Sequence, residues 1–361
     1  MATVPARARP GAARYAITSP PARRRRTARI LTRVTDDFQI PGFVNAHSHA
    51  FQRALRGLVE GRDFWAWREA MLELAAGVRT DYRAVFAEMR AAGYTAVGEF
   101  HYLGLDEARA AAEAAAAIGI ELVVLYVAYA RGGIERFRQE SVADYLRDLE
   151  QLRADGARVG VAPHSVRACP REWLVELGRY ATAEGLPLHV HADEQPREIE
   201  ECMAEHGLRP IELLAECGCL GPHTTVVHAT HADGRELDLL GEACARVCAC
   251  PTTEANLGDG FLPVERLLHR GIGLCIGSDS NVRIDPLEEL RELDGIARRQ
   301  SGRRDVLTVD ALLAIGSDEG AGSLGIDAWP SVTVDVLHPQ LRGIAEPLCA
   351  LVAGCSADVL S

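Results

Sequence analysis

Short runs of apolar, often β-branched residues recur eight times along the chain, with segments of helical character between them. The runs cover residues 39–45, 95–100, 122–126, 159–162, 187–190, 224–227, 246–249 and 273–276. Runs that are apolar throughout are typical of strands buried on both faces of a parallel sheet. Strong helix formers fill several of the intervals, for example 81–92 and the alanine-rich 105–118. This alternation predicts right-handed crossovers between parallel strands.

Eight such units predict an α/β protein built on a closed (β/α)8 barrel. An open, doubly wound sheet is the structural alternative, but no glycine-rich phosphate-binding turn follows the first run. We expect the barrel to occupy residues 38–325. The C-terminal segment 326–361 holds one strand-like run and a short helical stretch, so we expect a small β element from the chain ends. We interpret 1–37 as an arginine-rich segment that is disordered or a remnant of a small β domain.

Composition narrows the class of protein. The chain has 361 residues and a formal net charge of -12, which argues against a general nucleic-acid binder because such proteins present a basic face. The segment 1–35 is the exception, with nine arginines and no acidic residue. No apolar stretch reaches membrane-spanning length without charges, so we expect no membrane partner. The ten cysteines form no Cys-x-x-Cys pair, which indicates free thiols in a reducing cytoplasm.

Histidines and carboxylates follow the apolar runs, where a barrel places its active site. His47 and His49 end the first run, and side chains at i and i+2 of a strand point the same way. Alone, a His-x-His motif is weak evidence for a metal site. His191 and Asp279 at later strand ends complete a nitrogen and oxygen ligand set that suits Zn²⁺, with Fe²⁺ as an alternative. No lysine ends the fourth run, so we expect one metal ion rather than two.

Four further residues carry candidate chemistry, each with an ordinary structural alternative. Glu194 follows His191 by three residues, so it lies beside the predicted metal as a proton shuttle, or else only begins a helix. His228 ends the sixth run and either stabilises the reacting centre or is a satisfied buried histidine. Arg68, in an unusually aromatic segment, and Arg167 match carboxylates in bidentate fashion, or else form surface ion pairs. Together the arginines indicate an anionic substrate.

The motifs resemble those of the amidohydrolase superfamily and, within it, of the formimidoylglutamate deiminases of histidine degradation. The most specific strings are His-Ala-Phe-Gln, Phe-Trp-Ala-Trp-Arg and Glu-Phe-His-Tyr. The matching stretches are residues 41–53, 63–68, 93–102, 162–167, 189–195, 227–231, 250–259 and 277–280. They cover the predicted barrel from about residue 40 to residue 325.

The resemblance implies a role for each matching residue. His47, His49, His191 and Asp279 would hold one Zn²⁺ per chain, and Asp279 would count among the catalytic residues with Glu194 and His228, which transfer protons. The substrate would be held by Gln52, Arg68, Tyr102, His164 and Arg167. The implied reaction is hydrolysis of N-formimidoyl-L-glutamate to N-formyl-L-glutamate and ammonia, by a cytoplasmic homodimer.

Two other functions remain open at this point. One is a related deaminase that acts on another carboxylate-bearing amidine, a guanidine or a heterocycle. The other is a metal-binding relative without catalysis, which the complete ligand set and Glu194 disfavour. The chain also departs from the family in its arginine-rich start, in its end soon after residue 337 and in a short loop between residues 57 and 63. We therefore expect an incomplete small domain and an altered fit around that loop.

Overall fold

The computed structural model describes residues 33–34 and 37–361. The predicted arginine-rich segment therefore lies largely outside the described residues. Within the described part of the chain, none of the helices combines the length and the apolar character needed to cross a membrane.

The described strands form two sheets. They are β1 (Arg33–Val34), β2 (Asp37–Pro41), β3 (Phe43–Ser48), β4 (Tyr94–His101), β5 (Glu121–Ala128), β6 (Val159–Pro163), β7 (Leu188–Ala192), β8 (Thr224–His228), β9 (Arg246–Ala249), β10 (Gly273–Ile276) and β11 (Ser331–Val334). Strands β3 to β10 pair in chain order, all parallel, which confirms the predicted (β/α)8 barrel.

Helices connect the barrel strands and cover their outer face. They are α1 (Phe64–Gly77), α2 (Tyr82–Ala91), α3 (Leu105–Ile118), α4 (Val142–Ala154), α5 (Arg171–Glu184), α6 (Pro196–His206), α7 (Pro210–Glu216), α8 (Gly234–Glu242), α9 (Pro251–Leu257), α10 (Val264–His269), α11 (Pro286–Ser301), α12 (Val309–Gly316), α13 (Asp318–Ser323) and α14 (Pro347–Gly354). Short 3-10 helices occupy Ala50–Leu55, Glu135–Phe137 and Ala357–Val359.

The apolar pattern explains both kinds of element. Every residue of β3 and β4 is buried, as expected for strands that face the barrel interior on one side and helices on the other. The alanine-rich α3 has the predicted bounds and buries Ala108, Ala111 and Ala115 on one face, at helical spacing. Its C-cap is Gly119, in a left-handed conformation that glycine adopts without a steric penalty.

A seam between β3 and the segment after β10 closes the barrel. The Asp279 N–H donates to His47 O at 3.0 Å, and the His49 N–H donates to Asp279 O at 2.8 Å. Beside these backbone bonds, Asn45 Nδ2 donates to Ser278 Oγ at 2.6 Å, and the Ser278 N–H donates to Asn45 Oδ1 at 3.0 Å. The seam is therefore held by main chain and side chains together.

The chain ends form the small β element that the sequence predicts. Strand β2 pairs in antiparallel fashion with β1 on one side and with β11 on the other. One detail differs from the prediction, because the first apolar run, 39–45, is split between two sheets. Its first half belongs to β2, which Gly42 separates from β3, and an added Cβ at Gly42 would clash with the side chain of Thr95. The first barrel strand begins only at Phe43.

Gly277 makes the seam sensitive to a single methyl group. A Cβ at this position would lie 2.7 Å from His47 O and 2.8 Å from His47 Cβ. We expect Gly277→Ala to lower the free energy of unfolding by about 1–3 kcal/mol, as overpacking does, and to weaken metal retention by displacing His47. Urea unfolding and bound-metal content measure the two effects. The control is Gly221→Ala, where no atom lies within 4 Å of the added Cβ; equal behaviour of the two variants would contradict the prediction.

Candidate active site

Four side chains converge at the C-terminal end of the barrel. His47 and His49 come from the end of β3, His191 from β7, and Asp279 from the loop after β10. The Nε2 atoms of His47 and His49 lie 3.1 Å apart, and those of His47 and His191 lie 3.0 Å apart. Asp279 Oδ1 lies 3.3 Å from His47 Nε2 and 3.1 Å from His49 Nε2. Three nitrogens and one oxygen thus face one point.

This cluster fits a divalent cation by its dimensions. A tetrahedral cation bound at about 2.0–2.1 Å holds its ligand atoms about 3.3–3.4 Å apart, close to the separations observed. Two rings are also oriented for ligation, because His49 Nδ1 donates to Phe100 O at 3.2 Å and His191 Nδ1 donates to His164 O at 3.0 Å. These bonds leave both Nε2 lone pairs directed into the cluster.

The histidines of the cluster are neutral and its aspartate is ionised, which are the forms that bind a cation. Burial lowers the pKa of His47 to about 3 and the pKa of His191 well below its usual value, so both rings are neutral near pH 7. Burial alone would raise the pKa of Asp279. The close contacts with His47 and His49 instead hold this pKa well below its ordinary range, and the group stays a carboxylate.

The loops that carry these groups contain unusual backbone conformations. His228 and Asp279 have φ values of 72° and 43°, in the left-handed region that residues other than glycine seldom adopt. Strain of this kind is characteristic of active sites, where the surrounding structure must enforce it. At Asp279 the hydrogen bonds of the barrel seam supply that constraint.

Glu194 and His228 lie next to the cluster without completing it. Glu194 Oε1 is 3.8 Å from His228 Nε2, and both side chains are buried. The other ring nitrogen of His228, Nδ1, donates to Glu254 Oε1 at 3.3 Å. Burial would lower the pKa of His228, but Glu194, Glu254 and Asp279 raise it to about 10. The Nε2 atom of the ring faces Glu194 and the pocket.

The predicted substrate-binding residues line one pocket above the cluster. It is bounded by Gln52, Arg68, Tyr102, His164 and Arg167, together with His49, His191, Glu194, His228 and Asp279. Gln52 Nε2 donates to Tyr102 OH at 2.9 Å, and burial raises the pKa of Tyr102 well above its usual value, so the hydroxyl keeps its proton. Burial and Arg167 hold the pKa of His164 well below its ordinary value.

Arg167 is held by carboxylates, and one of them was not among the predicted site residues. Its guanidinium lies 3.4 Å from Glu194 Oε2 and 3.5 Å from Glu198 Oε1. Glu198 is fully buried, and its other oxygen accepts from the Glu194 N–H at 3.2 Å. The sequence signal was the i, i+4 spacing of Glu194, just before α6, and Glu198, in its first turn, and this spacing alone does not separate a buried group from a solvated one.

The two histidines of the His189-Val190-His191 motif have different surroundings in the structure. His189 and His191 both belong to β7 and point to the barrel interior, as the i, i+2 spacing requires. His189 lies deeper, where its Nε2 donates to Ser323 O at 3.0 Å, and it takes no part in the cluster.

Comparisons with known proteins agree with this geometry. The family model described as "Amidohydrolase family" matches residues 38–329. The formimidoylglutamate deiminase of Pseudomonas aeruginosa is 36% identical over 356 residues, which is 89% of this chain and 75% of that protein. A 5-methylthioadenosine/S-adenosylhomocysteine deaminase of Halobacterium salinarum is 31% identical over 80% of this chain and 69% of its own length.

Among solved structures, an adenosine deaminase from Xanthomonas campestris with bound zinc has a TM-score of 0.79. It is 23% identical and covers 90% of this chain, which covers 78% of it in turn. At 23% identity, this structural similarity shows a shared fold and nothing about the reaction. With the family match, the comparisons make this chain a metal-dependent hydrolase that acts on C–N bonds.

The two histidines of β7 provide a matched pair for testing the metal centre. We expect His191→Gln to lower metal affinity by more than the roughly 10- to 100-fold typical of losing an outer hydrogen-bond partner, because a direct ligand is removed. His189→Gln should keep one metal ion per chain, since an amide can replace the bond to Ser323 O. Elemental analysis after dialysis measures both. Full metal content in His191→Gln, or its loss in both variants, would contradict the assigned ligand set.

Proposed function

Since the chain belongs to the amidohydrolase family, we propose that it is a zinc-dependent deiminase of N-formimidoyl-L-glutamate. Water and this substrate give N-formyl-L-glutamate and ammonia. The observation that carries the proposal is the pocket itself, in which Arg68 and Arg167 stand above a three-histidine, one-aspartate centre. A small acyclic substrate with two carboxylates and a C=N carbon matches that combination.

A divalent cation at the centre supplies a Lewis acid and lowers the pKa of water to around 7. Glu194 is placed to move protons, because its Oε1 faces His228 and the pocket while Oε2 is held near Arg167. It takes a proton from the attacking water and passes it to the imine nitrogen. The second proton comes from the hydroxyl that has added to the carbon, so ammonia leaves as the C=O bond of the formyl group forms. His228 Nε2, on the pocket side of the ring, is placed to contact the oxygen that adds to the substrate carbon.

The remaining pocket residues orient the substrate. Arg68 and Arg167, with side chains 27% and 20% exposed, reach the pocket with their guanidinium groups. The Tyr102 hydroxyl, fixed by Gln52, adds a neutral donor for a carboxylate oxygen. His164 is neutral and lies beside the metal ligand His191, with ring centroids 5.0 Å apart. These groups place the C=N carbon above the centre.

The 36% identity to the deiminase of Pseudomonas aeruginosa supports this substrate over others. Relatives that deaminate nucleosides or guanine make a heterocyclic substrate the main competitor. We further propose one zinc ion per chain and a homodimer in the cytoplasm; the ten free cysteines support a reducing compartment.

The assay that tests the function is ammonia release by zinc-loaded protein. N-formimidoyl-L-glutamate should be turned over at least 100-fold more efficiently than formimidoyl-aspartate, a guanidino acid or 5-methylthioadenosine. Faster turnover of the guanidino acid or the nucleoside would replace the proposed substrate. No release from any of them, with metal bound, would indicate a non-catalytic protein.

Glu194 should be essential for chemistry but not for metal binding. We expect Glu194→Gln to keep one metal ion per chain and to lose about 10²- to 10⁴-fold in kcat, the usual contribution of a positioned acid–base group. Glu201→Gln, on the helix α6 that begins two residues after Glu194, is the control, because Glu201 is exposed and pairs with Arg197. Wild-type kcat in Glu194→Gln would remove the proton-transfer role.

The two arginines should differ in the kinetic constant they affect. Arg68 lies 3.9 Å from Glu69 and touches no catalytic carboxylate, so Arg68→Ala should raise KM with little change in kcat. We expect a loss of about 1.5–3 kcal/mol, or about 10- to 150-fold in kcat/KM. Arg167→Ala should affect KM and kcat together, because Arg167 also contacts Glu194. Arg62→Ala, at an exposed position, is the control; unchanged kinetics in both pocket variants would refute the dicarboxylate substrate.

A further inference from the structure

One tyrosine of the pocket wall has no role in the proposed reaction. Tyr129 directly follows β5 and lines the pocket together with Arg68 and Arg167. The residue is only 6% exposed. A buried tyrosine normally presents its hydroxyl to a hydrogen-bond partner, so the surroundings of this hydroxyl indicate what it binds.

The backbone of Tyr129 is held on both sides. Its N–H donates to Gln139 Oε1 at 2.9 Å, and its carbonyl accepts from the Gln139 N–H at 3.1 Å. On the other side, the Ala130 N–H donates to Ala168 O at 3.0 Å. Because Ala168 directly follows Arg167, the main chain fixes the position of Tyr129 relative to that arginine.

Packing fixes the ring of Tyr129 as well. Its centroid lies 4.7 Å from that of His164 and 5.5 Å from that of Phe137. The third neighbour is Gly133, where an added Cβ would lie 3.0 Å from Tyr129 Cε1 and 3.1 Å from Cζ. A ring confined by three neighbours presents its hydroxyl at one place in the pocket.

The hydroxyl of Tyr129 lies in surroundings that suit an anionic ligand. Burial raises the pKa of Tyr129 and outweighs the opposing effects of Arg167 and Arg68, so the phenol keeps its proton at neutral pH. Arg68 acts in part through a hydrogen bond to the phenol oxygen. Because the oxygen accepts from Arg68, the phenol proton is left for a ligand, and a carboxylate is the partner that guanidinium groups bind best.

The distance from the metal centre indicates which carboxylate Tyr129 meets. Its ring reaches the metal ligand His191 only through His164, with successive centroid distances of 4.7 and 5.0 Å. Tyr102, in contrast, lies directly beside the ligand His49, at 5.3 Å. In N-formimidoyl-L-glutamate the α-carboxylate is close to the nitrogen that carries the reacting carbon, and the side-chain carboxylate is two methylenes farther away. The nearer tyrosine therefore suits the α-carboxylate and the farther one the side-chain carboxylate.

We propose that Tyr129 is a specificity-determining residue that, together with Arg68, binds the side-chain carboxylate of the substrate. The inference rests on the proposed function and refines it, because it assigns the two carboxylates to different parts of the pocket. The phenol donates one hydrogen bond to the carboxylate, and the fixed ring sets the chain length that reaches it. A site built to hydrogen-bond a substrate group rejects analogues without that group, since its own polar atoms then stay unpaired.

Tyr129→Phe keeps the ring and removes only the hydroxyl. We expect KM for N-formimidoyl-L-glutamate to rise about 10- to 150-fold, the usual effect of losing a hydrogen bond to a charged group. The value of kcat and the metal content should stay unchanged, because the lost bond binds the substrate and its transition state equally. Tyr126→Phe is the matched control, since Tyr126 lies on the same strand but its hydroxyl donates to Asp148 of α4 at 3.2 Å.

Two substrate analogues test which carboxylate is involved. N-formimidoyl-4-aminobutyrate keeps only the distal carboxylate, and Tyr129→Phe should lower its kcat/KM by the same factor as that of the glutamate compound. N-formimidoyl-L-glutamine ends in a neutral amide, and its kcat/KM should fall only about 2- to 10-fold, as for a bond between neutral groups. Equal losses for the glutamate and glutamine compounds, or a wild-type KM in Tyr129→Phe, would overturn the proposal.

Binding of glutarate separates this inference from the proposed function. Glutarate has two carboxylates and no reactive carbon, so calorimetry with zinc-loaded protein measures its affinity without turnover. Tyr129→Phe should weaken binding by about 10-fold or more, and Tyr126→Phe should not. If the wild-type protein turns over no formimidoyl compound but shows this difference, the proposed function fails and Tyr129 remains a carboxylate-binding residue. Equal affinities in the two variants, or no binding by the wild type, would refute the inference itself.

Discussion

The closure of the barrel and the binding of the cation depend on the same few hydrogen bonds. Asp279 donates its N–H to His47 O and accepts from the His49 N–H, so the first and last strands meet at three of the four ligands. The backbone of Asp279 is strained, with φ at 43°, and the seam stabilises this conformation. The positions of His47, His49 and Asp279 are thus fixed by the bonds that close the barrel. Gly277 packs so closely against His47 that a larger residue there would displace it.

A layer of buried carboxylates outside the centre fixes the groups that act. Glu254 holds His228, Glu198 holds Arg167, and Glu99 Oε1 accepts from the Ala50 N–H at 2.7 Å behind His49. Isolated carboxylates would be costly to bury. Burial accordingly raises the pKa of Glu99 to about 8, while Glu254 is paired with the His228 ring at 3.3 Å. Each functional side chain therefore has one defined orientation before any ligand arrives.

The sequence predicted the barrel and the convergence of His47, His49, His191 and Asp279 because both follow from local pattern. Apolar runs mark buried strands, and polar residues just after them fall at one end of a parallel barrel. It could not divide the run 39–45 between two sheets, since nothing in the apolar pattern marks Gly42, where only the approach of Thr95 in the folded chain excludes a side chain. Nor could it assign Glu198 and Glu254, whose partners are set by tertiary packing. His189 and His191 differ only in depth, which the spacing does not encode.

Local charge, rather than the charge of the whole chain, decides which substrate fits. The formal net charge of -12 would repel an anion at long range, but exposed charges are screened within about 10 Å. Three arginines line the pocket. Arg131 is already paired with both oxygens of Glu205, at 2.7 and 2.9 Å. Arg167 is shared between two carboxylates at longer distances, and Arg68 lies 3.9 Å from Glu69. The guanidinium groups least satisfied by the protein are therefore Arg68 and Arg167, the two to which the proposed substrate would present its carboxylates.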